Sequence, residues 1–328
     1  MTLKSIHGFM IILSLFLGKA SAQDVSLAKF ELPSDQWMWI NSAPISVEAM
    51  RGKAIVLYFF ERRCPTCRNA WPSIMESALQ HQSHPVLLIA VSSGSSRNDV
   101  AKYANENKIS IPMIVDFDRS IERKAGIGEI SLSNIRQVRM IGPDGNVKRA
   151  SGGVDEALSA AASEGSWNVD PTGMPPELML TWRQIEFGNF AAAAKALDRI
   201  SQVRQSERKN AAQVLRDYVD TKMLEQVALA ESAAESSDLW RAYRLYEDAK
   251  LRFVGYELPA SVERECVRLK KEESVQDQIV AMKLWERAQK AIQSGRATPA
   301  GMATMLTRII ESHPNTEAAG LAQDALAP

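Results

Sequence analysis

Residues 55–67 read Ile-Val-Leu-Tyr-Phe-Phe-Glu-Arg-Arg-Cys-Pro-Thr-Cys. The first six are a short apolar run rich in β-branched and aromatic side chains, the pattern of a buried strand. Cys64 follows four residues after its end. From Thr66 to about Gln80 the apolar positions Trp71, Ile74, Met75 and Leu79 recur at helical spacing, with Pro72 inside the helix as a kink. A cysteine at such a strand-to-helix junction sits where unpaired backbone N–H groups and the helix dipole favour a thiolate. Arg62 and Arg63 before it and Arg68 after Cys67 add positive charge. The i, i+3 spacing puts Cys67 on the same helical face. The residues thus suggest Cys64 as attacking thiol and Cys67 as resolving thiol. Pro65 stiffens the turn and has no N–H to offer a sulfur, and Thr66 completes the motif.

Strand and helix patterns alternate onward from this unit. Val86–Val91 reads as a second buried strand, 98–107 as a helix, and Ile111–Val115 as a short strand. An acidic turn at 116–118 leads to a short helix ending near Ala125. Gln137–Ile141 reads as a strand, Gly142-Pro143-Asp144-Gly145 as a hairpin turn, and Val147 as the start of the return strand. Alternating units of this kind give a sheet flanked by helices on both faces.

Residues 156–176 read as a linker, rich in Ala, Ser and Gly and then Pro. Beyond it no strand-like run appears, and helices are expected at about 177–187, 190–201, 206–234, 238–253, 259–273, 276–294, 298–311 and 316–326. Trp240 and Trp285 begin two similar stretches 45 residues apart, longer than the 34-residue tetratricopeptide period. The expectation is an all-α array of helical hairpins, tetratricopeptide-like or an irregular bundle. Trp182, Trp240 and Trp285 are expected as core anchors.

At the other end, Lys4, the apolar run Phe9–Leu17 and Ala20-Ser21-Ala22 have the three parts of an export signal over residues 1–22. The run is about nine residues, against roughly 20 for a bilayer-spanning helix. The expected location is therefore secreted or periplasmic, in a bacterial cell envelope, with no stable membrane span after cleavage. Basic and acidic residues number 39 each; cleavage would remove Lys4 and Lys19 and leave a net charge of −2. No basic stripe points to nucleic acid.

The cysteine count is three: Cys64, Cys67 and Cys266. Disulfides persist in an oxidising compartment, but two cysteines three residues apart close too small a loop to brace a fold. That favours redox chemistry at 64/67. Cys266, within a helical pattern, reads as a small buried hydrophobe. A bare CxxC also fits a metal half-site or an inert pair. A second CxxC is absent, so a zinc ribbon is unsupported, and His81 and His84 lie too far along the chain. A CxxC between a buried strand and a kinked helix, in a βαβ unit, is the thioredoxin arrangement.

Over residues 30–152 the sequence resembles the TlpA/ResA-like thioredoxin family of the redoxin superfamily. The resemblance is carried by Ile45–Lys53 ahead of the strand, by Cys64-Pro65-Thr66-Cys67-Arg68 with Pro72 five residues on, by Ile111-Pro112 to Asp116, and by Met140–Gly145. It implies an α/β thioredoxin fold, a central mixed sheet flanked by helices, followed here by the helical-hairpin domain. It implies a thiol–disulfide oxidoreductase with no cofactor beyond the Cys64–Cys67 pair and no metal. The partners it implies are protein thiol or disulfide clients and an electron donor or acceptor, with a further protein at the helical domain. Three positions depart from the family: Arg63 where a Trp precedes the first cysteine, Ala70 where an acid follows the second, and Ile135-Arg136-Gln137 where a cis-proline loop faces the disulfide. Arg136 is placed to stabilise a thiolate, as an arginine does in peroxiredoxins, or is a sheet-edge charge. The competing readings are a redox-inactive adaptor working through its helices and a peroxiredoxin-like thiol peroxidase. Against the latter, Glu61 stands where a peroxidase has threonine.

Overall fold

The computed structural model describes residues 30–45, 49–131, 134–293 and 298–326; the export signal expected over 1–22 lies outside them. A short 3-10 turn at Gln36–Met38 leads into a two-residue strand, β1 (Trp39–Ile40), which no pattern in the sequence marks. It is followed by β2 (Ala54–Phe60), α1 (Pro65–Gln80), β3 (Val86–Ser93), α2 (Arg97–Glu106), β4 (Met113–Asp116), α3 (Ser120–Lys124), β5 (Gln137–Ile141), β6 (Val147–Arg149) and α4 (Val154–Glu164). The strands form one sheet in the order β1-β4-β3-β2-β5-β6. β2 runs parallel to β3, and β3 to β4, while β5 pairs antiparallel with β2 and closes the hairpin with β6. This is the mixed sheet of a thioredoxin fold.

β2 is the central strand and every one of its residues is buried. Its side chains alternate between two cores because strand residues point to opposite faces. Val56, Tyr58 and Phe60 pack under α1, α2 and α4 with Trp71, Val100, Tyr103 and Leu158. Ile55, Leu57 and Phe59 pack on the other face with Phe30, Trp39, Met50 and Ile121. That face is covered mostly by the irregular segment before β2 and by the short α3, rather than by long helices.

The stretch expected as a linker is corrected at its start. Residues 154–164 are the helix α4, whose Val154, Ala157, Leu158 and Ala161 recur at helical spacing and are buried against the sheet. Small side chains that suggest a linker by composition here allow close approach of helix to sheet. The rest of the segment hugs the domain: Ser166 N–H donates to Gly52 O at 2.6 Å, and Trp182 Nε1 donates to Val169 O at 2.9 Å.

The C-terminal region is all-helical: α5 (Met179–Glu186), α6 (Phe190–Ser201), α7 (Ser206–Glu235), α8 (Leu239–Arg252), α9 (Ala260–Leu269), α10 (Glu273–Gln293), α11 (Pro299–Ser312) and α12 (Glu317–Leu326). Helices adjacent in sequence pack on each other from α5 to α9, and α10, α11 and α12 form a group of their own. The helical residues are divided among three cores. The first spans α5, α6 and the start of α7 with the end of α8, the second spans the rest of α7 with α8 and α9, and the third spans α10–α12. Trp182 and Trp285 are core residues. Trp240 is not: it is half-buried, and its Nε1 donates to Glu317 at 2.7 Å. Cys266 is buried among apolar side chains and burial pushes its thiol up to about 12.

The two units touch closely. Phe187 inserts into the second core of the sheet domain. Trp167 packs edge-on to both Trp182 and Phe187, with ring centroids 4.5 and 5.9 Å away. Gly188 has a φ of +75°, and a Cβ there would meet Ala49 Cβ at 2.6 Å, so only glycine fits this turn.

Candidate active site

Cys64 is the N-cap residue of α1, with extended backbone, and its Sγ accepts the Cys67 N–H at 3.2 Å. Pro65 occupies the first helical position, where its missing N–H leaves no orphan donor. Cys64 is 2% exposed and Cys67 is fully buried; both are free thiols. The helix continues through Pro72 to Gln80.

The two sulfurs are electrostatically unequal. Burial acts to raise the Cys64 thiol, but hydrogen bonds to its sulfur from Cys67 and Thr66, backbone and side chain, outweigh burial and hold it below the usual thiol range. Cys67 goes the other way, to about 11. Burial is the main cause, a backbone hydrogen bond from Glu61 opposes it, and the neighbouring Cys64 sulfur adds to it. One thiol is thus prepared to ionise and the other to stay protonated until Cys64 has reacted.

An aromatic floor lies beneath the pair. Tyr58, Phe60, Trp71 and Tyr103 contact one another with ring centroids 5.1–6.5 Å apart. Trp71 Nε1 donates to Tyr103 Oη at 2.8 Å. The Tyr58 hydroxyl is buried, has no other hydrogen-bond partner among the described residues, and faces the Cys67 sulfur. The sequence reading missed Tyr58 and Tyr103. In a uniformly apolar run nothing marks which side chain turns toward α1, although the period-2 alternation from Phe60 back to Tyr58 carries that information.

The supporting residues expected from the sequence fall into two groups. Pro65 and Thr66 are exposed at the helix start, and Arg63 and Arg68 are exposed on either side of the dithiol. Arg68 lies 6.0 Å from the Tyr103 ring centroid. Arg136 is exposed one residue before β5, where the register pairs Phe59 with Gln137, so it stands beside the end of β2 that leads into the motif. Its φ is +69°, and its charge acts on Tyr58. Ala70, where the family carries an acid, is half-buried against the core. His81 caps the far end of α1, its ring against Ser77 O and Ser159 Oγ, away from the sulfurs. No group of three or more His, Cys, Asp or Glu among the described residues is arranged to hold a metal.

Beside Cys64 runs an open groove of about 460 Å³, lined among others by Arg62, Arg63, Gly94, Ser96, Asp99 and Arg119. Below its rim Asp116, fully buried at the end of β4, accepts the Ile121 and Glu122 N–H groups that begin α3. Burial raises its carboxyl to about 7 in spite of those two bonds.

A family model described as the AhpC/TSA family matches residues 24–150. The thiol-disulfide oxidoreductase ResA of Bacillus subtilis (strain 168) is 24% identical over 152 residues, which are 46% of this chain and 80% of that protein. Among solved structures, a thiol:disulfide interchange protein of the thioredoxin family from Chlorobium tepidum TLS is 19% identical, with a TM-score of 0.35, over 42% of this chain and 99% of that one. The thioredoxin domain of a thiol-disulfide oxidoreductase from Bacteroides vulgatus is 14% identical, with a TM-score of 0.34, over 42% and 97%. The strand order and the CxxC at the N-terminus of α1 agree with this match: residues 24–150 are similar to the AhpC/TSA family, and the described residues among them have the thioredoxin fold.

Proposed function

We propose that the chain is an extracytoplasmic thiol–disulfide oxidoreductase that exchanges disulfides through Cys64 and Cys67, with its helical domain docking a client or redox partner. The observation that supports this best is the placement of Cys64 at the N-cap of α1, its Sγ accepting the Cys67 N–H at 3.2 Å, with Cys67 one helical turn on. In the reducing direction the Cys64 thiolate attacks a client disulfide, forming a Cys64–client mixed disulfide and releasing one client thiol. Cys67 then attacks Cys64 Sγ, expels the second client thiol, and leaves Cys64–Cys67 oxidised; two electrons and two protons pass to the client. The oxidising direction is the reverse. The relative named ResA and the expected signal at residues 1–22 support the activity and the location. No helix among the described residues is long and apolar enough to cross a membrane.

Catalysed reduction of insulin by dithiothreitol tests the activity. Wild type is expected to accelerate it, and Cys64→Ser and Cys67→Ser to fall to the uncatalysed rate. Equal rates for wild type and Cys64→Ser contradict the proposal.

A further inference from the structure

We propose that Arg63, Arg68 and Arg136 form a cationic rim that selects disulfides flanked by carboxylates; this rests on the reading of Cys64 and Cys67 as an exchanging pair. All three guanidinium groups are exposed, and none has a carboxylate within ion-pair distance among the described residues. Arg63 immediately precedes Cys64, Arg68 lies one turn into α1, and Arg136 stands one residue before β5, beside the end of β2 that leads into the motif. Three elements therefore deliver one sign of charge around a single, nearly covered sulfur.

The other cations nearby are already engaged by carboxylates. Arg62 pairs with Asp99 at 3.5 Å, and Asp99 also takes the Ser96 hydroxyl. Arg119 pairs with Glu122 at 3.2 Å and reaches Glu129 at 3.7 Å. Glu61 accepts the Arg63 backbone N–H at 3.3 Å. Of the cations named here, the three rim arginines have no ion-pair partner among the described residues, and they outnumber the unpaired Glu61 carboxylate. Charges of one sign around a reactive centre concentrate ligands of the opposite sign and raise association rates by roughly 10- to 1,000-fold, an effect that salt removes. The chemistry recognised is a carboxylate within a few residues of the target disulfide. An acidic protein segment and a small anionic disulfide share it.

The test uses the full-length protein and three disulfide-linked peptides that differ only in flanking Glu, Ser or Lys, with oxidised glutathione as a small anionic probe. The expected order of kcat/KM is Glu, Ser, Lys, with at least about tenfold between the extremes at low salt. That ratio should collapse in 0.5 M NaCl and shrink in the R63Q/R68Q/R136Q variant. If the Glu peptide outpaces the Ser peptide while glutathione gains nothing, the rim reads a peptide; if both gain, it reads the carboxylate alone. Equal rates for the Glu and Lys peptides, or a preference that survives salt and the triple variant, overturn the rim. Turnover of none of the peptides overturns the exchange reading itself, and the rim with it.

Discussion

Lys53 Nζ and Glu186 Oε2 lie 2.8 Å apart, with both side chains completely enclosed. Lys53 immediately precedes β2, and Glu186 is the last residue of α5, so the pair ties the central strand to the helical region. Glu186 is held further by N–H donors from Asn168 and Val169. Burial lowers the Lys53 ammonium from its usual range, and Glu186 opposes that. Lys53→Met leaves the carboxylate buried without its counter-charge. The expected loss is about 3–5 kcal/mol of unfolding free energy, read by urea titration followed at the tryptophans. A loss within experimental error would mean that the two units are joined without this pair.

Asp116 predicts a pH signature. Its carboxyl, raised by burial to about 7 from an ordinary 3.8, favours the protonated form in the folded chain. The stability it contributes is fully present below about pH 4 and is lost as pH rises through 7. Asp116→Asn cannot titrate, so the difference in Tm between wild type and variant should shift over that window, with wild type losing ground as pH increases. The variant also starts from a lower baseline, because Ile121 and Glu122 N–H donate to different carboxylate oxygens and asparagine replaces one of these by an NH2 group; one such bond is worth about 1 kcal/mol. Parallel Tm curves from pH 4 to 8 contradict the assignment.

Much of this was legible in the sequence. The limits of β5 (Gln137–Ile141) and α6 (Phe190–Ser201) agree residue for residue with the expected ones, because β-branched runs bounded by turn residues and Ala/Leu-rich runs at period 3.6 leave little choice. The N-terminal position of Cys64 was legible for the same reason. α4 was not, since alanine and serine serve equally in a linker and in a helix pressed on a sheet. Nor was β1, two residues whose pairing with β4 rests on contacts far along the chain. Arg136 could be singled out only through family resemblance. Its approach to the motif is set by the β2–β5 register, which no local pattern encodes.

Tyr58→Phe separates structure from chemistry. The hydroxyl has no other partner in its buried site, so its removal should change Tm by only a few degrees or less. Facing the Cys67 sulfur, it opposes the burial that raises that thiol. The variant should therefore alkylate Cys67 only at higher pH and should resolve mixed disulfides more slowly. An unchanged Cys67 titration would contradict a role for this hydroxyl.

The two thiols of the reduced protein should label in order. Iodoacetamide alkylation followed by mass spectrometry across pH 5–11 is expected to modify Cys64 first, with an inflection below the ordinary thiol value of 9.0, while Cys67 labels only toward its raised value of about 11. Cys266, pushed to about 12 by burial, should label only on unfolding. Cys67 reacting before Cys64 would reverse the assignment of attacker and resolver.

The most direct test of the chemistry is a trap. The Cys67→Ser variant, mixed with a disulfide-linked peptide and quenched in acid, should accumulate one covalent adduct, and tryptic mass spectrometry should place it on Cys64 alone. The matching Cys64→Ser variant should accumulate none. Absence of any adduct on Cys64, or an equal yield on Cys67 in the Cys64→Ser variant, would contradict the exchange mechanism.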